Sequence, residues 1–260
     1  MKKEISKLLF ICLLVLPLLS ISAYATPPVD LGAAASFGVL GGSGITVAGA
    51  VNSTTINGDI GTFPTTSITG LENVVLNGVN HAGDTVTQQA KNDLTDAYDF
   101  LAGMTPATDL STHVLGSAGY DLLTPGVYKF SSSAQLTGHL TLDVQNNSDA
   151  YFVFQIYSTL TTAEYSSVTM INVPDEGFCN KYWQVDTAIL GTGTEFMGNI
   201  LALTSITLNG GTLDGRALAR NGAVTISAAE TITVPCVIPE PATLCLLGLG
   251  ALSLIRKKRA

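Results

Sequence analysis

The feature that most limits how this chain can fold is a short pattern, apolar-x-Gly-x-apolar, that keeps returning. It reads Ile56-Asn57-Gly58-Asp59-Ile60, Leu136-Thr137-Gly138-His139-Leu140, Phe196-Met197-Gly198-Asn199-Ile200 and, with a small last residue, Leu213-Asp214-Gly215-Arg216-Ala217. The last two glycines are 17 residues apart, and the alternating segments that follow them, at 205–208 and 223–226, are 18 apart. A period of this size holds two or three short strands, which is one coil of a β-solenoid. Glycine suits the corners, where the chain bends sharply or backbones approach closely. Asn-Gly at 57, 77, 209 and 221 adds turn signals. A sandwich also has many short strands, but it has no repeated corner at fixed spacing.

One segment departs from the strand pattern. Between Asp84 and Leu101 the apolar positions Val86, Ala90, Leu94, Ala97, Tyr98 and Leu101 follow three- and four-residue steps, and Thr85-x-x-Gln88 has the form of a capping box. Gly103 and Pro106 supply the stop. The spacing predicts one helix whose apolar stripe is buried along a side of the coils.

The two ends read as addresses. Met1 to Lys7 carries three lysines, an apolar run follows, and Ala23-Tyr24-Ala25 has the small-x-small form of a signal-peptidase site. Residues 1–25 are thus expected to be a secretory signal peptide, since the apolar run is shorter than the roughly 20 residues of a membrane span. At the other end Pro239-Glu240-Pro241 leads into an apolar stretch closed by Arg256-Lys257-Lys258-Arg259. That three-part order resembles the PEP-CTERM sorting signal of Gram-negative bacteria. The resemblance implies transient holding at the membrane, cleavage by an exosortase, and delivery to the cell surface or its extracellular polysaccharide matrix. A plain C-terminal membrane anchor is the alternative.

Between these ends, residues 26–237 form one expected domain with 5 basic and 18 acidic residues, a formal charge of −13. Such a charge repels phosphate backbones, so nucleic acid is not an expected partner. The 31 threonines nearly equal the 32 charged residues of the chain, and polarity therefore comes largely from uncharged hydroxyls. Cys12 and Cys245 fall in the two end segments, which leaves Cys179 and Cys236 as an expected disulfide in an oxidising compartment. Neither these cysteines nor the three histidines, His81, His113 and His139, have metal-ligand spacing, so no metal and no cofactor are expected.

Several longer stretches, met in order, resemble the ice-binding-like family known as DUF3494. They are Leu31-Gly32-Ala33-Ala34-Ala35-Ser36-Phe37, Asn57-Gly58-Asp59-Ile60-Gly61, Leu123-Thr124-Pro125-Gly126-Val127-Tyr128, the run from Phe152 to Thr162, and the long stretch from Gly191 to Thr225. The resemblance implies a mostly β fold, a discontinuous right-handed β-solenoid of roughly triangular section with one long α-helix packed along it. It also implies adsorption to ice, inhibiting its growth or recrystallisation.

Solenoid strands lie about 4.8 Å apart with same-face residues about 6.6–7 Å apart, spacings close to repeats of the ice lattice. Thr, Ser and Ala pointing outward supply methyls and water-anchoring hydroxyls without the tight hydration shells of charges. Alternation places Ser67, Thr69, Thr159, Thr161, Ser205, Thr207, Ala223 and Thr225 outward on strands free of outward charge, and these are the expected ice contacts. Any one of them is also explained by the ordinary preference of Thr for strands. An enzyme on such a scaffold needs carboxylates gathered in one groove. The carboxylates at 143, 149, 164, 175, 176, 186, 195 and 214 share no register, His81-x-x-Asp84 reads as a turn ahead of the helix, and Arg216 and Arg220 read as partners of nearby acids. A cell-surface or matrix adhesin of the same fold without ice binding is the alternative function.

Overall fold

The computed structural model describes residues 29–174 and 178–235. The expected signal peptide, Cys236, Asp175, Glu176 and the sorting motif Pro239-Glu240-Pro241 lie outside the described residues.

Among the described residues nineteen strands pair in parallel, and their pairings define three sheets around one interior. Face A holds β1 (Phe37–Gly41), β4 (Asp59–Thr62), β7 (Thr108–Asp109), β9 (Gly126–Phe130), the first halves of β12 (Phe152–Thr162) and β14 (Lys181–Leu190), and the second halves of β15 (Thr194–Ala202) and β17 (Gly211–Ala219). Face B holds β2 (Gly44–Val47), β5 (Ile68–Thr69), β10 (Ala134–Leu136), β16 (Ile206–Leu208), β18 (Ala223–Ile226) and the second halves of β12 and β14. Face C holds β3 (Thr54–Asn57), β6 (Val74–Asn77), β8 (Leu122–Leu123), β11 (His139–Asp143), β13 (Ser167–Ile171), β19 (Glu230–Thr233) and the first halves of β15 and β17. The chain visits A, B and C in turn, which is the expected solenoid.

The coils do not stack in chain order. β1, β2 and β3 pair with β17, β18 and β19, so the first coil rests on the last. The chain crosses the height of the stack through the helix α1 (Thr85–Gly103). Nineteen helical residues span roughly 28 Å. The six strands from β4 to β12 that α1 passes over need five spacings, about 24 Å. Helix length thus matches the distance the connection has to cover.

Burial explains why face A reads differently from face B. Phe152 to Ile156 are all buried, because their inward side chains meet the core and their outward ones meet α1. A parallel strand covered on both sides is a continuous apolar run. Inside, Tyr128, Phe154 and Trp183 occupy one register and stack, with Phe154 and Trp183 3.8 Å apart at 8°. On the outside Val127, Val153, Tyr182, Leu201 and Leu218 pack against Ala90, Leu94, Ala97, Tyr98 and Leu101 of α1.

Two expectations about α1 need correction. Its cap is Asp84, whose carboxylate accepts the Thr87 N–H at 2.8 Å, rather than a box led by Thr85. Val86 is exposed, and Thr87 and Lys91 are buried beside the stripe instead. Lys91 is tolerated there because its ammonium donates to the carbonyls of Ala219 and Arg220 where β17 ends, which satisfies a buried charge.

The repeated glycines also sort by corner. Gly58, Gly198 and Gly215 all mark the edge between faces C and A, where coils approach so closely that a Cβ on Gly215 would lie 2.0 Å from the Gly198 carbonyl oxygen. Gly138 marks a different edge, between β10 on face B and β11 on face C.

Candidate functional site

All eight side chains singled out for outward alternation lie on face B. Strand register arranges its outward positions in two columns. The first runs Gln135, Thr161, Ile189, Thr207, Thr225, Thr46 and Thr69, one residue per strand. In the second, Thr159 pairs with Thr187 and Ala223 with Gly44. Ser205 and Ser67 continue it, each one residue ahead of a core position in register with its neighbours, Ile206 and Ile68. The residues between the columns, among them Leu160, Ala188, Ile206, Val224 and Ile45, are buried in the core.

Sequence reasoning missed β2 and β14. Gly44-Ile45-Thr46-Val47 carries the same alternation in a segment only four residues long. In Thr187-Ala188-Ile189-Leu190 the inward residue is a small alanine and the outward one an isoleucine, which hides the period. Ile189 is 38% exposed, so the column contains one apolar side chain facing solvent. The neighbours touch: the Thr69 hydroxyl donates to the Thr46 hydroxyl at 3.2 Å, and the Thr187 hydroxyl shares a 2.6 Å hydrogen bond with that of Thr204 at the edge of the face. β2 and β5 come early in the chain yet sit beyond β18 in the sheet.

No charged side chain occupies either column of face B. Face C differs, with His139, Asp143, Glu195 and Asp214 outward on its strands. Face A is covered along its centre by α1, whose outer side carries Asp96 and Asp99, while Asp93 turns to the N-terminal segment and accepts the Ala33 N–H at 2.7 Å. Among the described faces, B is the one that offers methyls and hydroxyls without carboxylates.

Two histidine-centred groupings among the described residues lack a catalytic geometry. His139, Ser167 and Glu195 share one row of face C, and His139 Nδ1 lies 2.7 Å from the Ser167 hydroxyl. The acid, however, stands beside the serine rather than behind the imidazole, so nothing orients the histidine as a base. His81 Nδ1 lies 2.7 Å from Asp84 at the start of α1. The Thr87 N–H and then His81 hold the Asp84 carboxyl below its ordinary range, as expected of a helix cap. Arg220 does pair with an acid, but the partner is Asp99 of α1 at 2.9 Å, 121 residues away in the chain. The principal contacts of Arg216 are different: its guanidinium donates to the Ala35 carbonyl at 2.7 and 2.9 Å and to Asn199 Oδ1 at 2.8 Å. It serves to hold the N-terminal segment against face A. Among the described residues no cluster of three His, Cys, Asp or Glu could hold a metal.

The sequence profile of the ice-binding-like family matches residues 39–233, three quarters of the chain. The chain belongs to the ice-binding-like family. A second profile, the PEP-CTERM protein-sorting motif, matches residues 237–259. The chain is 48% identical over 236 residues to an ice-binding protein of Nostoc sp. (strain HG1), a likeness covering 86% of this chain and 84% of that one. It is also similar to the crystal structure of an ice-binding protein from an Antarctic biological consortium, with 40% identity, a TM-score of 0.72, and 83% and 95% of the two chains covered. A third likeness is to the ice-binding protein of the Antarctic ascomycete Antarctomyces psychrotrophicus, at 33% identity and a TM-score of 0.72, covering 80% and 99%. These likenesses lend no support to a polysaccharide ligand or to an adhesin that does not touch ice.

Proposed function

We propose that this protein adsorbs to ice through face B, with Ser67, Thr69, Thr159, Thr161, Ser205, Thr207, Ala223 and Thr225, joined by Thr46 and Thr187, as the contact, and that it has no catalytic role. The observation that carries the reading is the in-register threonine column flanked by small residues, on the one flank free of charge. Four consecutive strands, β16, β18, β2 and β5, place a threonine in the same row, which gives hydroxyls and methyls repeating about every 4.8 Å across the strands. Water held on such a row is bridged to protein rather than locked in ionic hydration shells. The names of the relatives agree with this reading.

Ice-affinity partition of the domain, residues 26–237, tests it. Retention in the ice fraction is expected, with Thr207→Tyr and Ala223→Tyr losing most of it and Thr207→Ser keeping much of it. Circular dichroism confirms that each variant is folded.

The domain layout belongs to the same reading: residues 1–25 direct export and are removed, residues 26–237 act, and the tail from 238 to 260 is held transiently at a Gram-negative inner membrane until an exosortase processes it. Cys179 and Cys236 form a disulfide in this account, as the two cysteines of the exported domain.

A further inference from the structure

The C-terminal end of the described domain is fixed by contacts. After β19 the Val234 N–H donates to the carbonyl of Asn57 at 3.1 Å. Its side chain lies against Gly58, where a Cβ would come within 2.5 Å of Val234 Cγ2. Gly58, with φ 150°, is the corner that carries the chain from β3 on face C to β4 on face A. Because each coil runs through A, B and C in turn, the edge between C and A is the one edge that does not border face B. The sorting motif begins at residue 237, three residues beyond Val234. Its attachment point therefore lies across the section from the threonine columns.

We propose that the exit at the C/A edge makes the protein a bridging element: held at a carrier surface by the chain end that processing leaves after Val234, one molecule presents face B outward and binds ice without letting go of the carrier. The inference rests on the reading of face B as the ice contact. The charge distribution favours the same orientation. The exposed carboxylates of Asp96 and Asp99 on α1 and of Glu195 on face C keep hydration shells on the two flanks that meet at the attachment edge. Face B is the flank left for a partner whose surface is ordered water.

The test compares points of attachment. A biotin-acceptor peptide placed after residue 237 holds the domain on streptavidin beads by the C/A edge. The same peptide inserted between Ala50 and Val51, or between Ala228 and Ala229, holds it by turns that border face B; of these two insertions the one that partitions into ice when free is used. Beads carrying the C-terminal attachment should be enriched in the ice fraction several-fold over bare beads, and beads carrying the turn attachment should match bare beads. If free domain partitions into ice but C-terminally held beads do not, or if both attachments serve equally well, the proposal falls while the ice-binding reading stands. If the free domain is itself excluded from ice, the reading beneath it falls as well.

Discussion

Leu40 of β1 lies in register beside Leu218 of β17, both fully buried under α1, so the seam between the first coil and the last is closed by two residues from opposite ends of the domain. This seam also runs through face B, because β2 follows β1 and β18 follows β17, and Thr46 and Thr225 meet across it. The proposed contact surface is continuous only when the seam is shut.

Shortening Leu218 to alanine should therefore affect both stability and binding. A buried Leu→Ala change costs about 2–5 kcal/mol. Leu218→Ala is expected to lower the midpoint of denaturant unfolding by an amount in that range, in a single transition, and to reduce ice retention in proportion to the fraction unfolded. A variant with unchanged stability would show that the seam contributes nothing to the fold.

Glu230 gives the fold a pH dependence. It lies at the start of β19 with 4% of its surface exposed, and burial raises its carboxyl to about 8, partly offset by a hydrogen bond from the Gly210 N–H. The unfolded chain loses that proton near the ordinary value of 4.5. Because the folded value is the higher one, the contribution is fully present below pH 4.5 and is lost as pH rises toward and through 8. Glu230→Gln, which resembles the protonated form, should match the parent near pH 4 and exceed it at pH 9 by on the order of 5 kcal/mol. Thermal unfolding at the two pH values decides it, and equal shifts at both would refute the assignment.

A Cys179–Cys236 disulfide would close a loop of 57 residues. In the chain-entropy model that contributes about 4 kcal/mol. Non-reducing alkylation is expected to find both sulfurs blocked, and reduction to lower the unfolding midpoint. Two alkylated thiols without reductant would end the claim.

What the sequence revealed follows from how local each signal is. The alternation at Ile206-Thr207-Leu208 and Ala223-Val224-Thr225-Ile226 is local, and it put the outward threonines on one common flank, face B. The helix was equally plain, because Ala90, Leu94, Ala97, Tyr98 and Leu101 repeat every turn. Lys91 was not, since a lysine on the buried side is explained only by the strand-end carbonyls of Ala219 and Arg220, far away in the chain. Nor could spacing show that Leu40 meets Leu218, or that Thr46 completes the column between Thr225 and Thr69. Those neighbours are chosen by the stacking order of coils, which no local period records.

The most direct test places one substitution on two faces of the same molecule. Thr225 and Thr231 both point outward, six residues apart, the first at the centre of face B and the second on face C. Ice-affinity partition of the parent domain, Thr225→Tyr and Thr231→Tyr, each confirmed as folded, measures whether face B is the contact. The account predicts that the parent and Thr231→Tyr enter the ice fraction alike while Thr225→Tyr stays largely in the liquid. Equal retention of the two variants, or exclusion of the parent, would contradict it.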